Sequence, residues 1–147
     1  MRKTRLFAAI ATVATLALTG QGLAQDNASA TRAYDDIRAT LGNVPSHFAA
    51  YPPSAVEGAW QMTKGLLFGE GNSLDLKTKS LIAVAVAAQI PCQYCVWLET
   101  KTAKSAGATS AELSEAIAQA AYVRHWSTMI HGLQIDFDTF KAEFGGE

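Results

Sequence analysis

Cys92 and Cys95 are the only cysteines in this 147-residue chain, and they form a single Cys-x-x-Cys. They stand in Pro91-Cys92-Gln93-Tyr94-Cys95, which reads as the start of a helix, because proline is well tolerated in a first helical turn. Cysteines three apart lie on one helix face and bridge with little strain. The free N–H groups and the dipole at that end stabilise a thiolate. Such settings lower a thiol pKa from about 8.5 to about 3.5–7.5. The thiolate is the nucleophile toward peroxides and disulfides, and a neighbouring thiol then resolves the product in a reversible two-electron cycle. A loop this short adds little entropic stabilisation, so the pair points to chemistry more than to a staple. An inert local disulfide and half of a metal site are the plainer alternatives. A c-type haem site would need His at position 96, where Val96 stands. For zinc, the distant partners would be His125 and His131, at a spacing far outside that of a finger. No metal or organic cofactor is expected.

The elements that must position the pair are helices. Tyr34, Ile37, Arg38 and Leu41 share a face in a helix predicted over Thr31 to Leu41 and ended by Gly42-Asn43. Gln25 to Ala30 reads as a flexible start. Val44-Pro45 and Pro52-Pro53 bracket a short segment from Ser46 to Tyr51. A second helix spans Ser54 to Phe68, with Val56, Ala59, Trp60, Thr63 and Leu67 at helical spacing, and Gly69-Glu70-Gly71-Asn72 breaks it. A third, capped by Ser73 or Asp75, runs to Ile90. Its stretch Leu81 to Ala88 is apolar all round, which predicts burial on most sides. The fourth starts near Pro91 and ends at Ser105 or Ala106, with Gly107 as its C-terminal cap. Thr109 and Glu112 match a capping box for a fifth helix, which carries Leu113, Ile117, Ala120 and Ala121 and continues, bent, to Ile130 or His131. Gly132 to Asp136 is a turn, and Phe137 to Phe144 a last short helix. No hairpin or β-α-β pattern is present, so the expected class is all-α.

Composition narrows the function classes. The chain is 49% hydrophobic and 17% charged, unlike a disordered tail. Residues 1–24 read as a secretory signal: Arg2, Lys3 and Arg5, a 13-residue apolar stretch from Leu6 to Leu18, then Gly22-Leu23-Ala24 as a cleavage site. The stretch is short for a membrane span, which takes about 20 residues. Residues 25–147 then form one domain. Removing 1–24 takes three of the 12 basic residues and none of the 13 acidic ones, leaving a net charge of -4. No basic cluster survives to attract nucleic acid, and no later stretch could span a bilayer. Export, periplasmic or beyond, puts the cysteines in an oxidising compartment.

The segment from Ile82 to Ile117 resembles the carboxymuconolactone decarboxylase family in its alkylhydroperoxidase D-like branch. The matching features are Ala83-Val84-Ala85-Val86-Ala87-Ala88, Cys92-Gln93-Tyr94-Cys95, Gly107-Ala108-Thr109, and Glu112-Leu113-Ser114-Glu115-Ala116-Ile117. The resemblance implies an all-helical fold that assembles as trimers or hexamers, with a Cys-x-x-Cys cycling between dithiol and disulfide. It implies that Cys95 attacks the peroxide and Cys92 resolves it. It also implies a proton relay from a histidine four residues after the second cysteine and a glutamate twelve before the first. This sequence has Glu99 and Ser80 at those places. Glu99 lies one turn beyond Cys95, where a carboxylate repels a thiolate and, at its usual pKa of about 4.3, accepts a thiol proton poorly. Three repairs stay open. Glu99 is buried and acts as the acid/base, or His125 or His131 reaches the cysteines from another helix or subunit, or the pair is a slow or inactive couple.

Other residues have plainer readings. His125 is expected to be a partly buried hydrogen-bonding residue unless it serves the cysteines. His131 suits a helix end, and His47 a surface. Tyr94 either lines the site or packs, with packing expected, and Trp60, Trp97 and Trp126 are expected in the core or at a subunit interface. Lys101 and Lys104 read as a solvated face. The sequence therefore predicts an exported homo-oligomeric thiol oxidoreductase with Cys92, Cys95, Glu99 and His125 as its site. Its substrate would be a peroxide or a disulfide, and its electrons would come from an external thiol. The alternative is a non-catalytic helical oligomer or binding module with a structural disulfide. A lyase or isomerase ranks lower, because decarboxylase members generally lack the Cys-x-x-Cys.

Overall fold

The computed structural model describes residues 25–90 and 92–146, and all regular structure among them is helical, as expected. The helices are α1 (25–41), α2 (Ser46–Ala49), α3 (Val56–Phe68), α4 (Leu76–Gln89), α5 (Gln93–Ser105), α6 (Ser110–Gly132) and α7 (Phe137–Glu143). Residues 1–24, read as a signal, lie outside the described residues. The chain divides after Glu70 into two compact units.

In the first unit, α1 is longer than its periodicity suggested. The segment 25–30, expected to be flexible, is helical. Within it Ser29 Oγ donates to the Asp26 carbonyl. The reason for its order is burial: Ala30 joins Ala33 and Ile37 against Phe48, Val56 and Trp60. Small alanines give a weak periodic signal but fit a close helix contact. Trp60 is fully buried and sits edge-on to Phe48. Its Nε1 donates to Asp36 Oδ2 at 2.7 Å, and Lys64 Nζ donates to both oxygens of the same carboxylate at 2.9 Å. Lys64 first, then Trp60, hold the Asp36 carboxyl below its ordinary pKa.

The second unit is organised by α4, which packs against both α5 and α6. Asp75, one of the two expected caps, accepts the Thr78 N–H at 2.7 Å. The capping box at α6 is present in full: Glu112 N–H donates to Thr109 Oγ1, and Thr109 N–H donates back to Glu112 Oε2. Gly107 closes α5 with φ +88°. Its N–H donates to the Lys104 carbonyl, and the Ala108 N–H reaches the Ala103 carbonyl. These two bonds define a Schellman ending, which brings Ala103 and Ala108 into one core cluster with Val84 and Leu113.

Helix α6 continues as expected and ends at Gly132, one residue past His131. One expectation is corrected here. The apolar stretch of α4 is not buried on most sides within the chain. Val84 and Ala87 are buried, while Ile82, Val86 and Ile90 are half-exposed. Among the described residues α5 and α6 are the elements that pack extensively on α4, and two such neighbours cover only part of its circumference.

Candidate redox site

Cys92 and Cys95 form a disulfide at the start of α5, with Cα atoms 5.4 Å apart. Local chemistry places it there. Residues before proline avoid the helical region, and Ile90, which precedes Pro91, is extended at φ -104°, ψ 128°. Helix α4 therefore stops at Gln89, one residue short of expectation. Cys92 is also extended and is the N-cap of α5. Its Sγ accepts the Cys95 N–H at 3.2 Å, the bond that Ser or Asp supplies at other helix starts. Both cysteines are half-buried.

Glu99 follows Cys95 by one turn and Ala103 follows Glu99 by another. The stripe descends from the half-buried sulfur to a fully buried methyl. Glu99 lies midway and is itself half-buried, and burial raises its carboxyl pKa. A carboxyl so placed is a better acceptor for a thiol proton than an exposed one. Ser80, at the position of the family's glutamate, is buried, and its Oγ donates to the Leu76 carbonyl at 2.7 Å. That hydroxyl is committed to its own helix.

The structure thus brings Cys92, Cys95 and Glu99 together on α5. His125 lies on α6 and is exposed rather than partly buried as expected, with its ring edge-on to Trp126 at 5.3 Å. His131 is exposed near the end of the same helix. Among the described residues, neither histidine contacts a cysteine. Tyr94 does not pack within the chain, contrary to expectation; it is 77% exposed beside the disulfide. Of the tryptophans, Trp60 is core, while Trp97 and Trp126 are 65% and 47% exposed within the chain. Lys101 Nζ lies 5.2 Å from the Trp97 ring centre, within cation–π range, and Lys104 is exposed as expected.

Sequence reasoning missed one neighbour of the site. Arg124 Nε on α6 donates to Gln89 Oε1 at 3.0 Å, tying down the end of α4 that leads into Cys92. Two exposed polar residues 35 positions apart carry no local signal of their pairing.

Residues 53–136 match the carboxymuconolactone decarboxylase family. The chain is 36% identical over 78 residues to uncharacterized protein 4 in the cox locus of Paracoccus denitrificans, covering 53% of this chain and 69% of that one. It is also similar to the crystal structure of the alkylhydroperoxidase AhpD core from Rhodospirillum rubrum. That similarity has a TM-score of 0.65 at 30% identity, over 76% of this chain and 84% of that chain.

Proposed function

The chain belongs to the carboxymuconolactone decarboxylase family, and from that premise we propose that it is a thiol-dependent oxidoreductase that reduces peroxides or exchanges disulfides through Cys92 and Cys95. The observation that carries this reading is the disulfide itself, half-buried at a helix N-terminus in a fold similar to an alkylhydroperoxidase core.

The cycle needs only the two sulfurs, a proton acceptor and an outside reductant. In the dithiol form, one thiolate attacks the peroxide; an S–O bond forms, the O–O bond breaks, and an alcohol leaves. The second thiol displaces water from the resulting sulfenic acid and closes the disulfide. An external dithiol then returns two electrons and two protons by exchange through a mixed disulfide. The half-buried Glu99 fills the acid/base role that the family's histidine has in the peroxidase members, exchanging a proton with Cys95 one turn away. His125 serves only if a second copy carries it to the site.

Two further parts belong to the proposal. The protein acts after export, which the basic-then-apolar segment before residue 25 supports. It also acts as a homo-oligomer. The half-exposed Ile82 and Val86 on α4 and Ile90 just past its end, with Tyr122, Val123 and Trp126 on α6, support a second copy covering these faces.

Turnover with an organic hydroperoxide and a small dithiol tests the activity. Hydroperoxide-dependent consumption of the dithiol should require the protein and vanish in the double variant Cys92→Ser/Cys95→Ser. Equal consumption with the double variant would contradict the proposal.

A further inference from the structure

We propose that Cys92 is the attacking sulfur of this couple and Cys95 the resolving one, the reverse of the order that the family resemblance implies. The inference rests on the redox reading above and assigns the two roles within it.

The family's order depends on groups this chain does not have. Attack by the second cysteine uses a histidine one turn further on and a glutamate on the preceding helix. Here those places hold Glu99 and a buried Ser80 whose hydroxyl is bonded to the Leu76 carbonyl. Cys95 is therefore followed by a carboxyl group. In its charged form that group opposes a standing thiolate at Cys95, and in its neutral form it cannot accept the proton of the thiol.

Cys92 has the better setting for negative charge. It is the N-cap of α5, and its Sγ receives the Cys95 N–H at 3.2 Å. That N–H is one of the unpaired donors of the first turn, and the helix dipole adds to it. Cys95 lies inside the helix, and among the described residues no N–H donates to its Sγ. The charged groups of the packed elements do not reverse this preference. On α5 they are Glu99, Lys101 and Lys104, all beyond Cys95 in the direction away from Cys92. On α4, Lys77 and Lys79 lie in the first turn, at the end opposite Gln89. On α6, Arg124 reaches Gln89 and not the sulfurs.

The steps then follow in order. The Cys92 thiolate attacks the terminal peroxide oxygen, forming an S–O bond and expelling an alkoxide that takes a proton from water. Cys92 becomes the sulfenic acid. Glu99 accepts the Cys95 thiol proton, and the Cys95 sulfur attacks Cys92. The S–S bond forms, the S–O bond breaks, and the departing hydroxide leaves as water with the proton from Glu99. Two thiols have lost two electrons and the peroxide has gained them. In this order Glu99 serves the resolving step, where its proximity to Cys95 is useful instead of harmful.

The test uses the fully reduced wild-type protein, so it does not depend on a variant folding. Iodoacetamide is added below stoichiometry at mildly acid pH, and the labelled cysteine is located by mass-spectrometric fragmentation. Cys92 should be labelled in about tenfold preference, the smaller end of the gain in thiolate that a helix-start setting gives. Equal labelling, or labelling of Cys95 first, would overturn the assignment. As a second readout, Cys95→Ser treated with hydroperoxide and dimedone should give a sulfenic-acid adduct on Cys92. The matched Cys92→Ser sample should give its adduct at least about tenfold more slowly; equal rates would also overturn it. Because labelling uses no peroxide, the two claims fail separately. Labelling of Cys92 first with no hydroperoxide reaction would remove the peroxidase reading and keep the thiol order. Labelling of Cys95 first with fast hydroperoxide reaction would do the opposite.

Discussion

Arg124 donates its Nε to Gln89 Oε1 across 35 positions of sequence, and the ion pair between Lys77 and Glu112 spans the same interval. The two links sit twelve residues apart on each helix, so α4 and α6 run parallel and in register for about 18 Å at 1.5 Å per residue. The upper link holds the end of α4 that turns into the disulfide. Arg124→Ala should lower stability by about 0.5–1.5 kcal/mol, the net value of one hydrogen bond, in chemical denaturation. No change would mean that the link does not hold the helix end.

The lower link has a pH signature. The bond to Lys77, then those to the Thr109 backbone and hydroxyl, pull the Glu112 carboxyl from 4.5 down to about 2. A carboxyl whose folded pKa is depressed stabilises the fold above its unfolded pKa, and that contribution fades as pH falls through the folded value. Glu112→Gln should therefore melt below the wild type at neutral pH, and the gap should narrow steadily in acid below about pH 4.5. A gap that stays constant down to pH 3 would contradict the assignment.

These links also show what the sequence could and could not reveal. Short-range chemistry was legible: Asp75, the Thr109–Glu112 box and Gly107 all act as their types and spacing indicate, and the cysteines meet at a helix start. What depends on how helices rotate against each other was not. The outward face of α4, the exposure of Tyr94 and Trp97 within the chain, and the exposure of His125 are set by which neighbours each helix meets. The early start of α1 was hidden because alanines pack closely while adding little to an apolar pattern.

Glu99 yields a prediction of the opposite sign to Glu112. Burial raises its carboxyl pKa, so its contribution to stability is present below the unfolded pKa and lost as pH rises through the folded value. Glu99→Gln should then be at least as stable as the wild type at neutral pH, with the difference closing in acid. The same substitution removes the proton acceptor for Cys95. Closure of the disulfide from the sulfenic acid should slow by about 10²-fold, the lower range for general-base assistance. Rapid-quench trapping of the sulfenic acid would measure it, and an unchanged closure rate would exclude Glu99 from the step.

Gly107 separates backbone strain from packing. At φ +88°, an added Cβ meets nothing within 4 Å, so Gly107→Ala should cost only the left-handed penalty of about 1–2 kcal/mol. A denaturation midpoint equal to that of the wild type would show that the α5 ending does not depend on this conformation.

The central claim is that Cys92 and Cys95 form a working redox couple. Its most direct measurement is stopped-flow mixing of the reduced protein with an organic hydroperoxide, counting free thiols against time. The account predicts loss of both thiols per chain, much faster than a free thiol reacts, with Cys92–Cys95 as the product and restoration by added dithiol. Thiol loss no faster than that of a free cysteine would contradict it and leave the pair a structural disulfide.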